Sequence, residues 1–213
     1  LNAGYRFPAV GASDYPYCRA LGDCRTYVKL PGQPTFEKWN KAAAEGRSFF
    51  TTGPLLQVTV DGHSPGETIS LPGGKHVLTV EARIDSLVSP VDEVQVIVGG
   101  QIAARHRLAN SARTAPVIWS QSIEIDQSTW VALRAFSKSP TGRDNSEAHT
   151  NPIYITVDER PCRQSKSILW LMGKIDERIA YQRGREFPQR EQVLAYYLTA
   201  RKALAARLPS GDE

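Results

Sequence analysis

Between residues 55 and 160 apolar and polar residues alternate in six separate runs, and a period of two strongly constrains what this stretch can fold into. The runs are "LLQVTV", "KHVLTVEARI", "VDEVQVIV", "VIWSQSIEI", "TWVALRAFS" and "PIYITV". Successive side chains of a strand point to opposite faces, so each run can bury one face and wet the other. Leu56, Val58 and Val60 would share a face, as would Leu78, Val80, Ala82 and Ile84. Val94, Val96 and Val98 repeat the pattern, and so do Ile153, Ile155 and Val157. "DGHSPGE", "LPGG", "VGGQ" and "SPTGRDN" punctuate the runs with turn residues. Short alternating strands at such spacing predict an antiparallel, Ig-like β-sandwich over 55–160.

The period changes on either side, giving a chain that is mainly β with α. Residues 1–54 read as a short strand in "GYRFPAV", a loop, a second strand in "CRTYVKL", a "PGQP" break and a helix in "TFEKWNKAAAEG". Thr35 suits the N-cap of that helix and Gly46 its left-handed end, with Phe36, Trp39 and Ala43 on one face. Residues 161–213 read as a helical hairpin. Ile168, Leu171, Met172, Ile175 and Ile179 line its first helix, which stops at "QRG". Pro188 fits the first turn of the second helix, with Val193, Leu194, Tyr197, Leu198, Leu204 and Leu208 on its apolar face.

At 213 residues the chain can build a sizeable core. No run of about 18 apolar residues occurs, so no membrane partner is expected. The net charge of +4 comes wholly from the segment after residue 161. Its basic residues are spaced like a solvated helix face without a stacking motif, so a nucleic-acid partner is not expected. Cys18 and Cys24 flank a short loop and are either two free thiols or a disulfide. A disulfide would point to an extracytoplasmic, oxidising compartment. Cys162 is left over in both cases. The chain opens on Leu1 rather than Met, from which an upstream segment is expected.

Asp14, in "GASDYPYC", is the candidate with chemical meaning. It is either a metal-ligating carboxylate at a strand end or a turn residue bonding nearby backbone, and spacing alone favours the turn. His63, His76, His106 and His149 never form the close pair that metal sites usually carry. His149 stands at a strand entrance, where it could order a loop. No GxSxG elbow occurs, and Cys18 has no evident His partner. Trp119 and Trp130 are either a glycan platform or core fillers.

The ordered blocks "GASDYPY", "RTYV", "GRSFFTTGPLL" and "PGE", followed by "VDEVQVIVGGQIAARH" and "EAHTNPIYI", resemble one family. They are similar to the carboxy-terminal part of PHP-domain metallohydrolases of the CehA/McbA branch, which includes a carbaryl hydrolase. The resemblance implies a distorted β/α barrel holding divalent metal (zinc, manganese or iron) that activates water against an ester, amide or phosphoester. On that basis residues 1–54 would be the terminal elements of the barrel. Asp14 falls on the Asp of the family's late "SD.H"-like ligand motif, and Pro16 stands where that motif has His. The family's early HxH motif and intermediate ligands have no equivalent in this chain.

Two functions are therefore expected. The chain is the carboxy-terminal part of a metal-dependent hydrolase, inactive without the upstream barrel, with Asp14 as its surviving metal ligand and a small-molecule substrate for the whole enzyme. Alternatively, the sandwich is a non-catalytic module for a glycan or protein. The first reading also expects residues 1–50 to be covered by an upstream segment, another copy or the terminal helices.

Overall fold

The computed structural model describes residues 1–86, 91–108, 116–137 and 146–209. Among these the chain is mainly β, with eleven strands and three helices. In order they are β1 (Arg25–Val28), α1 (Phe36–Ala44), β2 (Ser48–Thr51), β3 (Leu55–Val60), β4 (Thr68–Leu71) and β5 (His76–Asp85). Then follow β6 (Glu93–Val98), β7 (Gln101–Arg107), β8 (Val117–Ile125), β9 (Thr129–Phe136), β10 (Glu147–Thr150) and β11 (Ile153–Val157). Two helices close the chain, α2 (Ser165–Arg183) and α3 (Arg190–Ala205). The chain divides into two compact units, Phe7–Arg160 and a second made of Leu1–Arg6 with everything from Pro161 onward.

The larger unit holds two sheets. Six strands of the first run in the order β1-β2-β10-β9-β11-β4, and β6 pairs with both β9 and β7. Every pairing is antiparallel except β11 with β4. The second sheet is β3-β5-β8, also antiparallel. Leu56, Val58, Val60, Leu78, Val80 and Ile84 of the small sheet share one buried cluster with Val94, Val96, Val131, Leu133, Ile153 and Ile155 of the large one. The alternation in the sequence thus becomes a β-sandwich, each fully buried Val, Leu or Ile contributing about 1.5–3 kcal/mol. At "VGG" the chain reverses between β6 and β7 through Gly99 and Gly100, both at positive φ, as a tight hairpin requires.

β10 and β11 lie end to end along one flank of β9, interrupted at Asn151 and Pro152. The interruption would orphan a backbone donor of β9. Thr150 repairs it, its Oγ1 accepting from the Leu133 N–H at 2.9 Å. Trp119 half-packs against the core and stacks on His106, centroids 5.2 Å apart.

The strand expected over "GYRFPAV" does not form. Pro8 removes one donor, and side chains take the place of a neighbouring strand for the next residues. Asn151 accepts from Ala9 N–H at 2.7 Å and donates back to Ala9 C=O at 2.9 Å. Thr26 Oγ1 accepts from Gly11 N–H at 2.9 Å and donates to its C=O at 3.0 Å. The arm therefore runs extended without joining a ladder. In α1 the Thr35 cap is formed, accepting from Lys38 N–H. Its buried residues are Ala42 and Ala43, whereas Phe36 is exposed, so the expected Phe36–Trp39–Ala43 face is rotated toward the small residues.

In the second unit Ile168, Met172, Ile179, Leu194 and Leu204 are buried, and Arg201 bonds Asp176 across the two helices at 2.6 Å. The first six residues dock on this pair. Ala3 is buried in one cluster with Ile168, Met172 and Leu204. Gln164 N–H donates to Asn2 C=O at 2.8 Å. The Arg207 guanidinium lies 4.0 Å from the Tyr5 ring centroid and bonds Gly4 C=O. Two details differ from expectation. Pro188 precedes the Gln189 cap instead of occupying the first turn, and Leu198 is exposed.

Candidate functional site

Asp14 lies on an exposed turn at the far end of the amino-terminal arm, at φ 52°. Its backbone carbonyl accepts from Tyr17 N–H at 2.9 Å and Cys18 N–H at 3.1 Å. The base of the loop is fastened by Ser13, whose Oγ accepts from Cys24 N–H at 3.1 Å. The Asp14 carboxylate does not fold back on its own backbone. Its Oδ2 accepts the Cys18 thiol at 3.1 Å, and this hydrogen bond pushes the thiol above its ordinary value, with Arg19 pulling weakly the other way. A carboxylate and a thiol thus lie side by side, open to solvent.

A second polar group lies on β10. His149 stacks on Phe50 of β2, centroids 5.7 Å apart. Its Nδ1 donates to the Thr150 carbonyl at 2.8 Å, which leaves Nε2 as the lone-pair nitrogen. Burial pushes the imidazole below the ordinary histidine range. Arg134 acts in the same sense, while the Thr150 carbonyl and Glu147 oppose it. Register places Thr26, Phe50, His149, Arg134, Gln95 and Arg105 in one row across the large sheet. Arg134 pairs with Glu147 at 3.4 Å, and Glu93 lies within 4 Å of Arg105 and Arg107. The charges on this row are thus largely answered by their neighbours.

A catalytic metal ion needs three or four convergent ligands. Among the described residues no group of three or more His, Cys, Asp or Glu could hold one. The described residues by themselves therefore do not make up a complete metal site. His63 lies at a turn and His76 opens β5, their rings donating to the Asp61 and Pro72 carbonyls. Cys18, Cys24 and Cys162 are free thiols. No helix among the described residues is long and apolar enough to cross a membrane.

The residue that organises this region was not singled out in the sequence. Asn151 is 1% exposed, ties the arm through Ala9, and donates to Ser48 Oγ of β2 at 2.7 Å. An Asn directly before Pro at a break between two alternating runs is the signal that could have found it. Two glycines mark close approaches nearby. A Cβ on Gly11 would meet Cys24 Sγ and Phe50 Cβ, both at 2.7 Å. One on Gly66 would run into the Glu45 carbonyl. No protein-family model matches the chain, and neither does any curated protein or solved structure.

Proposed function

We propose that this chain is the carboxy-terminal part of a metal-dependent hydrolase resembling the PHP-domain enzymes of the CehA/McbA branch, acting on an ester, amide or phosphoester. Asp14 supplies one ligand to a divalent-metal site that residues outside this chain complete. In this reading residues 1–54 are the terminal elements of a PHP-type barrel, 55–160 an Ig-like sandwich and 161–213 a helical hairpin.

The observation that carries the reading is the order and spacing of the blocks "GASDYPY", "RTYV", "GRSFFTTGPLL", "PGE" and "EAHTNPIYI". Their contacts support it. Gly11 of the first block bonds Thr26 of the second. Asn151 of the last bonds Ser48 of the third, and Gly66 of "PGE" abuts the backbone of Glu45–Arg47 at the start of the third. A further support is the apolar surface beside Asp14, where Tyr17 is 88% and Leu21 82% exposed, with Phe7, Val10 and Tyr15 also open. Remaining barrel elements would cover such a surface.

The test is expression of the chain together with the polypeptide encoded upstream of Leu1. Bound zinc, manganese and iron are measured by elemental analysis, and hydrolysis is assayed on aryl ester, carbamate and phosphodiester substrates. Stoichiometric metal that falls at least about tenfold in affinity in Asp14→Ala is the expected result. An upstream segment without HxH, in a protein that binds no metal, overturns the reading.

A further inference from the structure

The helical unit carries an open groove of about 690 Å³ that nothing in the hydrolase reading uses. Its floor is Leu171 and Ile175 of α2 with Leu204 of α3. All three belong to the apolar cluster that seats Ala3, so the groove is a continuation of the unit's core that its two helices leave uncovered. Lys174, Arg178 and Tyr181 stand on the rim, with Glu177 beside them, already paired to Lys174 at 2.8 Å.

The same side of α2 exposes Trp170, which is 63% accessible, four residues before Lys174. The Lys174 ammonium lies 5.9 Å from the Trp170 ring centroid, and Arg185 lies 5.1 Å from that of Tyr181. Aromatic rings with cations held over them border an apolar channel between two helices.

We propose that this groove docks an acidic amphipathic helix of a partner protein. Two antiparallel helices present ridges and a groove into which a third helix packs its i, i+3, i+4, i+7 side chains. Leucine-sized knobs would fill the floor over Leu171, Ile175 and Leu204, and flanking carboxylates would meet Arg178 and Lys174. Charge selects the occupant. The rim holds two cations, Lys174 and Arg178, against one carboxylate, Glu177, and the segment after residue 161 carries the chain's positive excess. The same surface of a second copy therefore brings like charge, whereas an acidic helix brings the complementary sign. A bilayer could also answer basic and aromatic side chains, but a flat surface does not fill a channel whose apolar floor lies between two helices.

The probe is a fluorescein-labelled peptide about 18 residues long with Leu at i, i+3, i+4, i+7 and Glu on its other faces. One control replaces Glu by Lys, and another keeps the composition but scrambles the Leu spacing. Anisotropy is measured against the full chain at about 0.15 M salt. The acidic periodic peptide is expected to bind at least about tenfold more tightly than either control. Lys174→Glu combined with Arg178→Glu is expected to remove that advantage with unchanged circular dichroism, and Arg178→Ser alone to reduce it severalfold if the double variant does not fold. Equal binding of the three peptides overturns the proposal, as does indifference to both variants. Vesicles containing phosphatidylserine that bind the chain through Lys174 and Arg178, while the acidic peptide does not bind, overturn it in favour of a membrane surface.

Discussion

Asn151 and Ala9 lie 142 positions apart and hold each other through a reciprocal pair of hydrogen bonds, 2.7 Å from Ala9 N–H to the amide oxygen and 2.9 Å from the amide nitrogen back to Ala9 C=O. The side-chain amide offers a donor and an acceptor in the arrangement a neighbouring peptide group would, so one side chain substitutes for a strand. The arm that ends in Asp14 is steered by this contact and by the equivalent one from Thr26 to Gly11.

Replacing Asn151 by Ala leaves the buried Ser48 hydroxyl, and the Ala9 backbone groups of the half-buried hydrogen bonds, without their partner. The expected loss is about 2–4 kcal/mol, read as a lower denaturant midpoint. Asn151→Asp retains the acceptor but sets a carboxylate oxygen against the Ala9 carbonyl, and is expected to be worse than Ala at neutral pH. Amide exchange at Ala9 and Gly11 should rise in both variants.

Gly66 sits at φ 88°, and its missing side chain lets Glu45–Arg47 pass against it. Gly66→Ala combines an unfavourable backbone conformation with a clash on backbone that cannot swing away. A cost of about 2–4 kcal/mol is expected from thermal unfolding. Gly62→Ala is the control. It has positive φ but open space, so only the conformational part, about 1 kcal/mol, should appear.

His149 makes stability depend on pH with a definite sign. Burial lowers its folded pKa below the ordinary 6.5, so between those two values the unfolded chain binds more protons than the folded one. Stability from this residue is complete above 6.5 and falls as pH drops toward the folded value. His149→Phe keeps a ring against Phe50 and should flatten the difference between denaturant midpoints at about pH 7.5 and about pH 5.5. An unchanged slope would show that other groups set it.

Asp14 and Cys18 form a hydrogen-bonded pair at the surface. The carboxylate accepts the S–H and so stabilises the protonated thiol. Asp14→Asn removes the negative charge from that acceptor. Alkylation of Cys18 by iodoacetamide near pH 8 should then speed up severalfold, while Cys24, which is not bonded to Asp14, should keep its rate.

The six alternating runs all lie on strands, because a period of two written into a single segment is a local property. The Thr35 cap and the Gly99–Gly100 turn were legible for the same reason. Strands β2, β4, β7 and β10 were not read as strands. Three of them are four residues long, too short to show a period, and they exist because β9 and its neighbours offer edges to pair with. The arm failed in the opposite direction. "RFPAV" has strand composition, but Pro8 and the side chains of Asn151 and Thr26 settle it as an extended segment outside the ladder.

The same division applies to the site. The chemistry available to this chain near its amino terminus, two carboxylates and two thiols in a turn-rich loop, is a matter of composition and was visible in "GASDYPYCRALGDC". Which of them touch is not, because the Asp14–Cys18 bond depends on the path of the loop. The docking of Leu1–Arg6 on the carboxy-terminal helices likewise had no local signal. Ala3 is an ordinary small residue until Ile168, Met172 and Leu204 close around it. Sequence by itself determined the period of each segment and hence the mainly β architecture, since alternation acts over a few neighbours. Tertiary structure decided where the ends of the chain go and how the Asp14 loop is held, since those rest on contacts that no local period records, from Ser13–Cys24 across the loop to Ala9–Asn151, 142 positions apart.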